Sequence, residues 1–159
     1  ERRTQHLLKR IDLSPEAGFA DFGLADKSLS DCRPKIMSHL SERILKSIDF
    51  EKARKRRQEN FYFLHNSLQS LNFMNLQLDP EYTPQCYPLL LRDNNLRELL
   101  IAKRIFVPQF WPGLVQNDVS PEIWDLIHNL LPLPLDQRYG LDDMAYLIEQ
   151  IEEGLGIHD

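Results

Sequence analysis

The stretch formed by residues 84–112 constrains the fold of this chain more than any other part of the sequence. It opens with a short apolar run, residues 86–91, which is too brief for a helix and bulky enough for a buried strand. A helix is predicted next, because residues 93–95 offer capping side-chain oxygens and leucines then recur at helical spacing. Residues 105–107, stopped by Pro108, predict a second strand. This strand–helix–strand unit must bury both faces, and we expect the other helices of the chain to cover it.

The length of 159 residues is sufficient for one domain with its own core. No window reaches the roughly 20 apolar residues that span a bilayer, and the first residues lack the apolar segment of a signal peptide. Cys32 and Cys86 are too few for a disulfide framework or a metal knuckle, and two buried or half-buried thiols are typical of a reducing compartment. We therefore predict a cytoplasmic protein without membrane contact. The chain starts at Glu1 rather than Met, so we expect it to be a piece of something longer.

The charge is unevenly distributed along the chain. Residues 1–60 hold 14 Lys and Arg against 10 Asp and Glu, whereas residues 61–159 hold 5 against 14. The two halves are thus expected to attract each other, or a partner copy, in a salt-sensitive way. The basic run at residues 52–57 is interpreted as a solvated helix face or subunit contact and not as a nucleic-acid site, because the chain is acidic overall. Arg57 interrupts an apolar seam, and it is expected either to snorkel outwards or to meet a carboxylate at an interface.

The apolar spacing predicts an α/β (α+β) fold with a small antiparallel or mixed sheet covered by several helices and preceded by long helices. Helices are expected over residues 1–12, 36–48, 50–71, 121–131 and 141–155. Residues 17–29 are interpreted as a packed irregular piece because of their glycines, and residues 74–78 alternate like an edge strand. Residues 133–135 are expected to form a short extended piece. Two segments follow, a helical one over residues 1–49 and an α/β domain over residues 50–159.

Motifs that would carry chemistry are not found in the sequence. It has no glycine-rich phosphate loop, no nucleophile elbow and no pair of metal-binding histidines one helical turn apart. The five histidines are scattered, and each is interpreted as a surface or capped residue. We therefore predict no catalytic residue and no metal site within this chain.

The sequence of the second half of the chain resembles that of a known protein family. The strand at residues 86–90, the helix with Leu96-Arg97 and Leu99-Leu100, residues 105–112 and Leu131-Pro132-Leu133-Pro134 are similar to the C-terminal small domain of DegT/DnrJ/EryC1/StrS aminotransferases. The helix that contains Arg57 and Asn60-Phe61 resembles the one that leads into that domain, and Met37-Ser38 with Leu40 resembles the preceding helix. The resemblance spans residues 33–153. It implies a fold-type-I enzyme that uses pyridoxal phosphate, often on nucleotide-linked keto sugars.

Two departures from the family pattern concern the cofactor. The Schiff-base lysine of the family lies in a large domain that precedes the part seen here, and none of the seven lysines of this chain has its motif. The family often places Asn shortly before the position that matches Met37, where it reaches the cofactor phosphate of the partner subunit. Here Pro34 stands at that place, and Arg33 or Lys35 is the only candidate substitute. We expect pyridoxal phosphate in the full-length protein and none bound by this fragment.

The resemblance also implies residues that contact substrate. The turn after the second strand of the family's small domain faces the active-site cleft, and this turn maps onto Gln109, Phe110 and Trp111, which would cover a sugar or nucleotide. The alternative is that Phe110 and Trp111 plug the domain junction. Arg138 and Tyr139 lie in a comparable loop, where a guanidinium suits phosphate or carboxylate, although an exposed arginine needs no such role.

The leading hypothesis is that the chain is the C-terminal portion of a pyridoxal-phosphate-dependent aminotransferase-like protein, supplying substrate cover and a dimer surface. Its expected partners are a second copy of the chain and a sugar or amino-acid substrate, with no nucleic acid and no membrane. One alternative is a non-catalytic helper or interaction domain that keeps the fold without the chemistry. Another is a helical binding module that uses the basic face at residues 52–57.

Overall fold

The computed structural model describes residues 4–30, 36–92, 95–114 and 119–157, which form two compact units, Glu1–Ile48 and Asp49–Asp159. Over these residues the α-helices are α1 (Gln5–Asp12), α2 (Phe19–Lys27), α3 (His39–Lys46), α4 (Phe50–Leu68), α5 (Leu96–Ala102), α6 (Pro121–Asn129) and α7 (Leu141–Leu155). The strands β1 (Cys86–Leu90) and β2 (Leu130–Pro134) pair in antiparallel fashion. The protein is therefore mixed α+β with a small antiparallel sheet. None of the described helices is both long and apolar enough to cross a lipid bilayer.

The first unit contains a helix where the sequence analysis expected irregular structure. Residues 19–27 form α2, and Ser28–Ser30 add a short 3₁₀ turn. Gly18 precedes the helix as its N-cap, where glycine is tolerated, and a Cβ there would lie only 2.6 Å from the His6 carbonyl oxygen. The expectation was wrong because Gly18 allows close contact between α1 and α2 and does not break a helix.

Helix α3 lies within the predicted range of residues 36–48 but begins later, at His39, because Ser38 caps it. The Ser38 hydroxyl accepts a hydrogen bond from the Ser41 amide at 3.1 Å. Leu40 and Ile44 follow on the helix and remain exposed. No side chain of α1, α2 or α3 is buried, although α1 and α3 are strongly amphipathic. The apolar faces of these helices therefore lack a cover within the first unit.

The second unit holds the hydrophobic core. Helix α7 packs on α4 and α5, while α4 packs on β1 and α6 on β2. The buried cluster consists of Phe61, Leu64, Leu68, Tyr87, Leu89, Leu91, Leu96, Leu100, Val107, Leu131, Leu133, Leu135, Met144, Leu147, Ile148 and Ile151. At roughly 1.5–3 kcal/mol for each fully buried large apolar side chain, this cluster is the main source of the unit's stability.

The register of the sheet follows from its prolines. Pro88 lies opposite Pro132, and neither has an N–H to give the other. The hydrogen-bonded pairs must therefore be Tyr87 with Leu133 and Leu89 with Leu131. By alternation, the backbone groups of residues 130, 132 and 134 point away from β1. Two of these three residues are prolines, and the third, Leu130, donates its N–H to the Leu126 carbonyl. The outer edge of β2 thus has no N–H for a neighbour.

The lack of N–H donors on this edge explains why the second strand predicted within residues 84–112 does not form. Residues 105–107 form no strand, and the partner of β1 is β2, part of which the sequence analysis placed in a helix. Val107 and Pro108 nevertheless lie near Leu130, and Ile105 and Phe106 lie near Pro134, so the segment runs beside β2 in the antiparallel direction. A regular ladder cannot form there, because β2 lacks the necessary donors.

The Arg97 side chain holds this segment in place of a ladder. Its guanidinium donates to the carbonyls of Val107 (3.2 Å), Pro108 and Leu130 (2.6 Å). Burial lowers the pKa of this guanidinium. A side chain of α5 thereby ties the extended segment to the first residue of β2.

A second side chain occupies the outer edge of β1. The side-chain oxygen Oδ1 of Asn72 accepts hydrogen bonds from the backbone amides of Leu90 and Met74, each at 3.0 Å. The side-chain NH₂ of Asn72 donates to the Pro88 carbonyl at 2.9 Å. Residues 74–78 are therefore not the edge strand that their alternation suggested. Their apolar side chains Leu76 and Leu78 pack on the core from an irregular connector.

Candidate functional site

The loop after β2, residues 136–139, contains two of the predicted site residues and is fixed by α4. Asn60 is completely buried, and its NH₂ donates to the carbonyls of Leu135 (3.1 Å) and Tyr139 (3.2 Å), with a longer contact to Asp136. Arg57 donates from Nε to Gln137 Oε1 at 2.8 Å and from Nη1 to the Pro84 carbonyl at 3.1 Å. The loop is thus fixed by hydrogen bonds from Arg57 and Asn60, which lie one turn apart on α4.

Arg57 is half-buried, and its guanidinium donates to an amide oxygen and a backbone carbonyl. Among the described residues it forms no ion pair, and a carboxylate partner at an interface stays a prediction. Its neighbour Arg54 pairs with Glu51 and also donates to the Pro80 carbonyl. Part of the basic run thus fastens the connector that leads to β1.

Arg138 forms a closed ion pair within the loop. Its Nε and Nη2 donate to the two carboxylate oxygens of Asp136 at 2.8 and 2.7 Å, and its guanidinium lies 5.7 Å from the centre of the Tyr139 ring. The paired guanidinium lowers the pKa of Asp136, and the carboxylate raises that of Arg138. The Nε–Nη2 side of the guanidinium is therefore occupied, and a phosphate or carboxylate would have to use the remaining Nη N–H groups or replace Asp136.

Gln109 and Trp111 lie in a different setting. Gln109 is exposed and makes a long contact, 3.5 Å, from its NH₂ to the Ile127 carbonyl at the end of α6. Trp111 is 52% exposed and packs edge-on against Phe110, with 5.6 Å between the ring centres. Its backbone has a φ of 53°, a left-handed conformation that is strained for a tryptophan. The four predicted site residues therefore fall into two pairs whose hydrogen-bond and ring partners differ.

An open pocket of about 160 Å³ lies beside Tyr139. Its floor is formed by Met144 and Leu147, which are buried, and its rim by the exposed rings of Phe106 and Tyr146. Arg104, Ile105, Pro134, Tyr139 and Asp143 complete the lining. The pocket brings one predicted site residue, Tyr139, together with residues that the sequence analysis did not select.

The described lysines do not fit a pyridoxal phosphate Schiff-base site. Four of them form ion pairs, Lys9 with Asp21, Lys46 with Glu42, Lys55 with Glu51 and Lys103 with Glu153. Lys27 and Lys52 are exposed on helices. Arg33, Pro34 and Lys35, the residues of the predicted phosphate contact, lie outside the described residues. An internal aldimine needs a lysine within a cofactor pocket, and no described lysine lines the pocket above.

Metal sites and reactive thiols are two further kinds of candidate site. In the described part of the chain, no group of three or more His, Cys, Asp or Glu side chains is placed to hold a metal ion. Cys86 is a half-buried free thiol whose pKa is raised by burial, so it is less nucleophilic than an exposed cysteine. Cys32 lies outside the described residues.

The residues that hold this region together were missed by sequence reasoning. Asn60, Asn72 and Arg97 act on backbone groups between 10 and 79 positions away along the chain. The signal that was available is their position, since each polar side chain lies among apolar residues at or near a helix face. Comparisons with known protein families, with functionally characterised proteins and with solved structures give no match.

Proposed function

We propose that this protein is the C-terminal portion of a pyridoxal-phosphate-dependent aminotransferase-like protein of DegT/DnrJ/EryC1/StrS type. Its contribution would be substrate cover and a dimer surface, and its substrate class a nucleotide-linked keto sugar. The residues that carry the family resemblance support this proposal. Those from α4 to α7 lie on one α+β unit, whereas Met37 to Leu40 belong to the first unit and the second strand expected at residues 105–107 is not formed.

The observation that carries the proposal furthest is the apolar surface of the first unit. Ile11 is 81% exposed, Phe19 is 69% exposed and Leu40 is 70% exposed. An amphipathic helix gains most of its stability by burying its apolar stripe, so three helices without a buried side chain favour a larger body that covers them. In the proposed arrangement this body is the large cofactor-bearing domain.

The proposed substrate cover uses Gln109 and Trp111. A half-exposed indole beside an exposed amide offers a flat apolar face together with a hydrogen-bond donor and acceptor, which suits a sugar or nucleotide ring. Arg138 and Tyr139 would take part by exchange of the Asp136 carboxylate for an anionic group of the substrate. No chemical step is assigned to any residue of this chain.

The alternative is a helper domain that keeps the fold without the chemistry. It is favoured by Pro34, which stands where the family often has the asparagine that reaches the cofactor phosphate, because proline has no side-chain donor for that contact. In that case the apolar first unit would bind a separate catalytic protein, and the complex would bind the cofactor only on that partner.

Borohydride reduction of the full-length protein, purified with pyridoxal phosphate, distinguishes these hypotheses. The proposed function predicts a yellow protein and, after reduction and peptide mapping, a phosphopyridoxyl-lysine outside the 159 residues. A label on any of the seven lysines within this chain would contradict the domain assignment. A colourless protein without label would refute the aminotransferase hypothesis and favour the helper domain.

A further inference from the structure

The pocket beside Tyr139 results from the proline edge of β2. Because β2 offers no outward N–H, residues 105 and 106 lie beside it without a ladder and leave a gap above α7. Arg104 turns the chain into this gap with a φ of 63°, a left-handed conformation that non-glycine residues rarely adopt. The backbone of residues 104–106 and the buried side chains of Met144 and Leu147 thus contribute to the space, together with the exposed rings of Phe106 and Tyr146.

The volume limits what the pocket can hold. About 160 Å³ is close to the roughly 150 Å³ of an engineered apolar cavity that takes up benzene. A nucleotide or a cofactor the size of pyridoxal phosphate would not fit inside it as a whole. The part of an occupant that lies inside the pocket is therefore one ring in size.

The lining indicates the chemistry of that ring. Three aromatic side chains, Phe106, Tyr139 and Tyr146, surround a floor of Met144 and Leu147. Aromatic rings favour edge-on or offset contacts with another ring, and the methionine sulfur makes favourable contacts with ring edges. Phe106 and Tyr146 are 56% and 49% exposed, so an inserted ring would remove apolar surface from water.

The charges at the rim favour a neutral occupant. Arg104 and Asp143 carry opposite signs, and Arg138, which lies over the Tyr139 ring, is neutralised by Asp136. Asp143 Oδ2 accepts from the Gly140 amide at 2.8 Å, and its other oxygen makes no described hydrogen bond. That oxygen can accept from an O–H or N–H on the ring.

We propose that this pocket binds a single uncharged aromatic ring bearing an N–H or O–H group, of the indole or phenol class. The ring is either a free small molecule or an aromatic side chain of a polypeptide. The site lies in the second unit and shares Tyr139 with the proposed substrate cover, but binding of a ring there needs neither the cofactor nor a cofactor-bearing domain.

The methyl groups of the methionines provide a direct test. The chain has three methionines, Met37, Met74 and Met144, of which Met144 lines the pocket and is 1% exposed. With ¹³C-methyl methionine in the whole protein, we expect indole and phenol to shift the Met144 signal through the ring current, while the signals of Met37 and Met74 stay in place. No shift of Met144 up to the solubility limit of indole would overturn the proposal, as would equal shifts of all three signals.

Matched ligands test the chemistry of the occupant. Cyclohexanol has the size of phenol without its π-system, and choline is a cation of similar size. We expect both to bind more weakly than phenol, and equal or tighter binding of either would refute the aromatic, uncharged class. N-acetyl-tryptophanamide distinguishes the two sources. If it binds at least as tightly as indole, the occupant is an aromatic side chain of a polypeptide. If indole binds and N-acetyl-tryptophanamide does not, the occupant is a free small molecule.

Matched variants test the location. Tyr146→Ala removes one wall of the pocket and is expected to weaken indole binding at least about threefold. Tyr62→Ala is the control, because Tyr62 is 44% exposed on α4 and does not line the pocket. Unchanged affinity in Tyr146→Ala, or an equal loss in both variants, would contradict the proposed site.

Discussion

Replacement of Asn60 by alanine tests how the loop after β2 is held. The NH₂ of this buried residue donates to the carbonyls of Leu135 and Tyr139, while its own Oδ1 is buried without a hydrogen-bond partner. Alanine leaves two carbonyls without a donor, at roughly 1.5 kcal/mol each, and removes one unpaired oxygen, worth roughly 1 kcal/mol in the opposite direction. We therefore expect a destabilisation of about 2 kcal/mol.

The assay is urea unfolding followed by tryptophan fluorescence. Both tryptophans, Trp111 and Trp124, lie in the second unit, so the signal reports that unit alone. With a slope of about 2 kcal/mol per molar urea, the midpoint should fall by about 1 M. Asn66→Ala on the exposed face of the same helix is the control, and it should change stability by less than about 0.5 kcal/mol.

The result that would refute this reasoning is a small difference between the two variants. If Asn60→Ala lay within about 0.5 kcal/mol of Asn66→Ala, the three carbonyl contacts would contribute little net stability. Asn60→Asp gives a second reading, because it replaces the donating NH₂ by an oxygen directed at carbonyls. It should be destabilising at neutral pH and less so in acid, where the carboxyl regains a proton to donate.

Three further predictions concern the edges of the sheet and the loop. Arg97→Met should destabilise the second unit by roughly 1.5–3 kcal/mol and expose the Leu130 region to faster hydrogen exchange, and an unchanged urea midpoint would contradict this. Asn72→Ala should increase exchange of the Leu90 amide measured by NMR, with the Leu89 amide as the internal control. The pKa of Asp136 is lowered in the folded state, so its contribution to stability is present above its unfolded pKa of about 3.9 and is lost as the pH falls through the lower folded value. Asp136→Asn should therefore flatten the decline of the urea midpoint below pH 4, and an equally steep decline would refute the assignment.

The features that were predictable from the sequence are those encoded by neighbouring residues. Ser120 caps α6 as its position before Pro121 predicts, and the strand at residues 86–90 and the final helix form where the apolar spacing places them. These signals are read within one or two turns of the chain. They also led to the mixed α+β class.

The features that were not predictable depend on distant partners. Whether residues 105–107 form a strand is decided by the N–H groups of β2. Leu130 and Leu131 were placed at the end of a helix, and residues 133–135 were expected to be extended but not to pair with β1. The anchoring roles of Asn60 and Arg97 depend on backbone carbonyls that fold next to them. The candidate site was predictable only at Tyr139, since the other pocket walls are contributed by turns and a helix far apart in sequence.

The prolines of β2 also limit how this protein can assemble. An edge that presents carbonyls but no free N–H cannot template an incoming strand, so fibril growth and strand-swapped dimers are disfavoured along it. On the outer edge of β1, the Asn72 side chain already forms hydrogen bonds with the Pro88 carbonyl and the Leu90 amide, which an added peptide strand would need. A partner that meets the described sheet edges of the second unit is therefore expected to bind through side chains, so its recognition would depend on shape and chemistry and not on a shared backbone pattern.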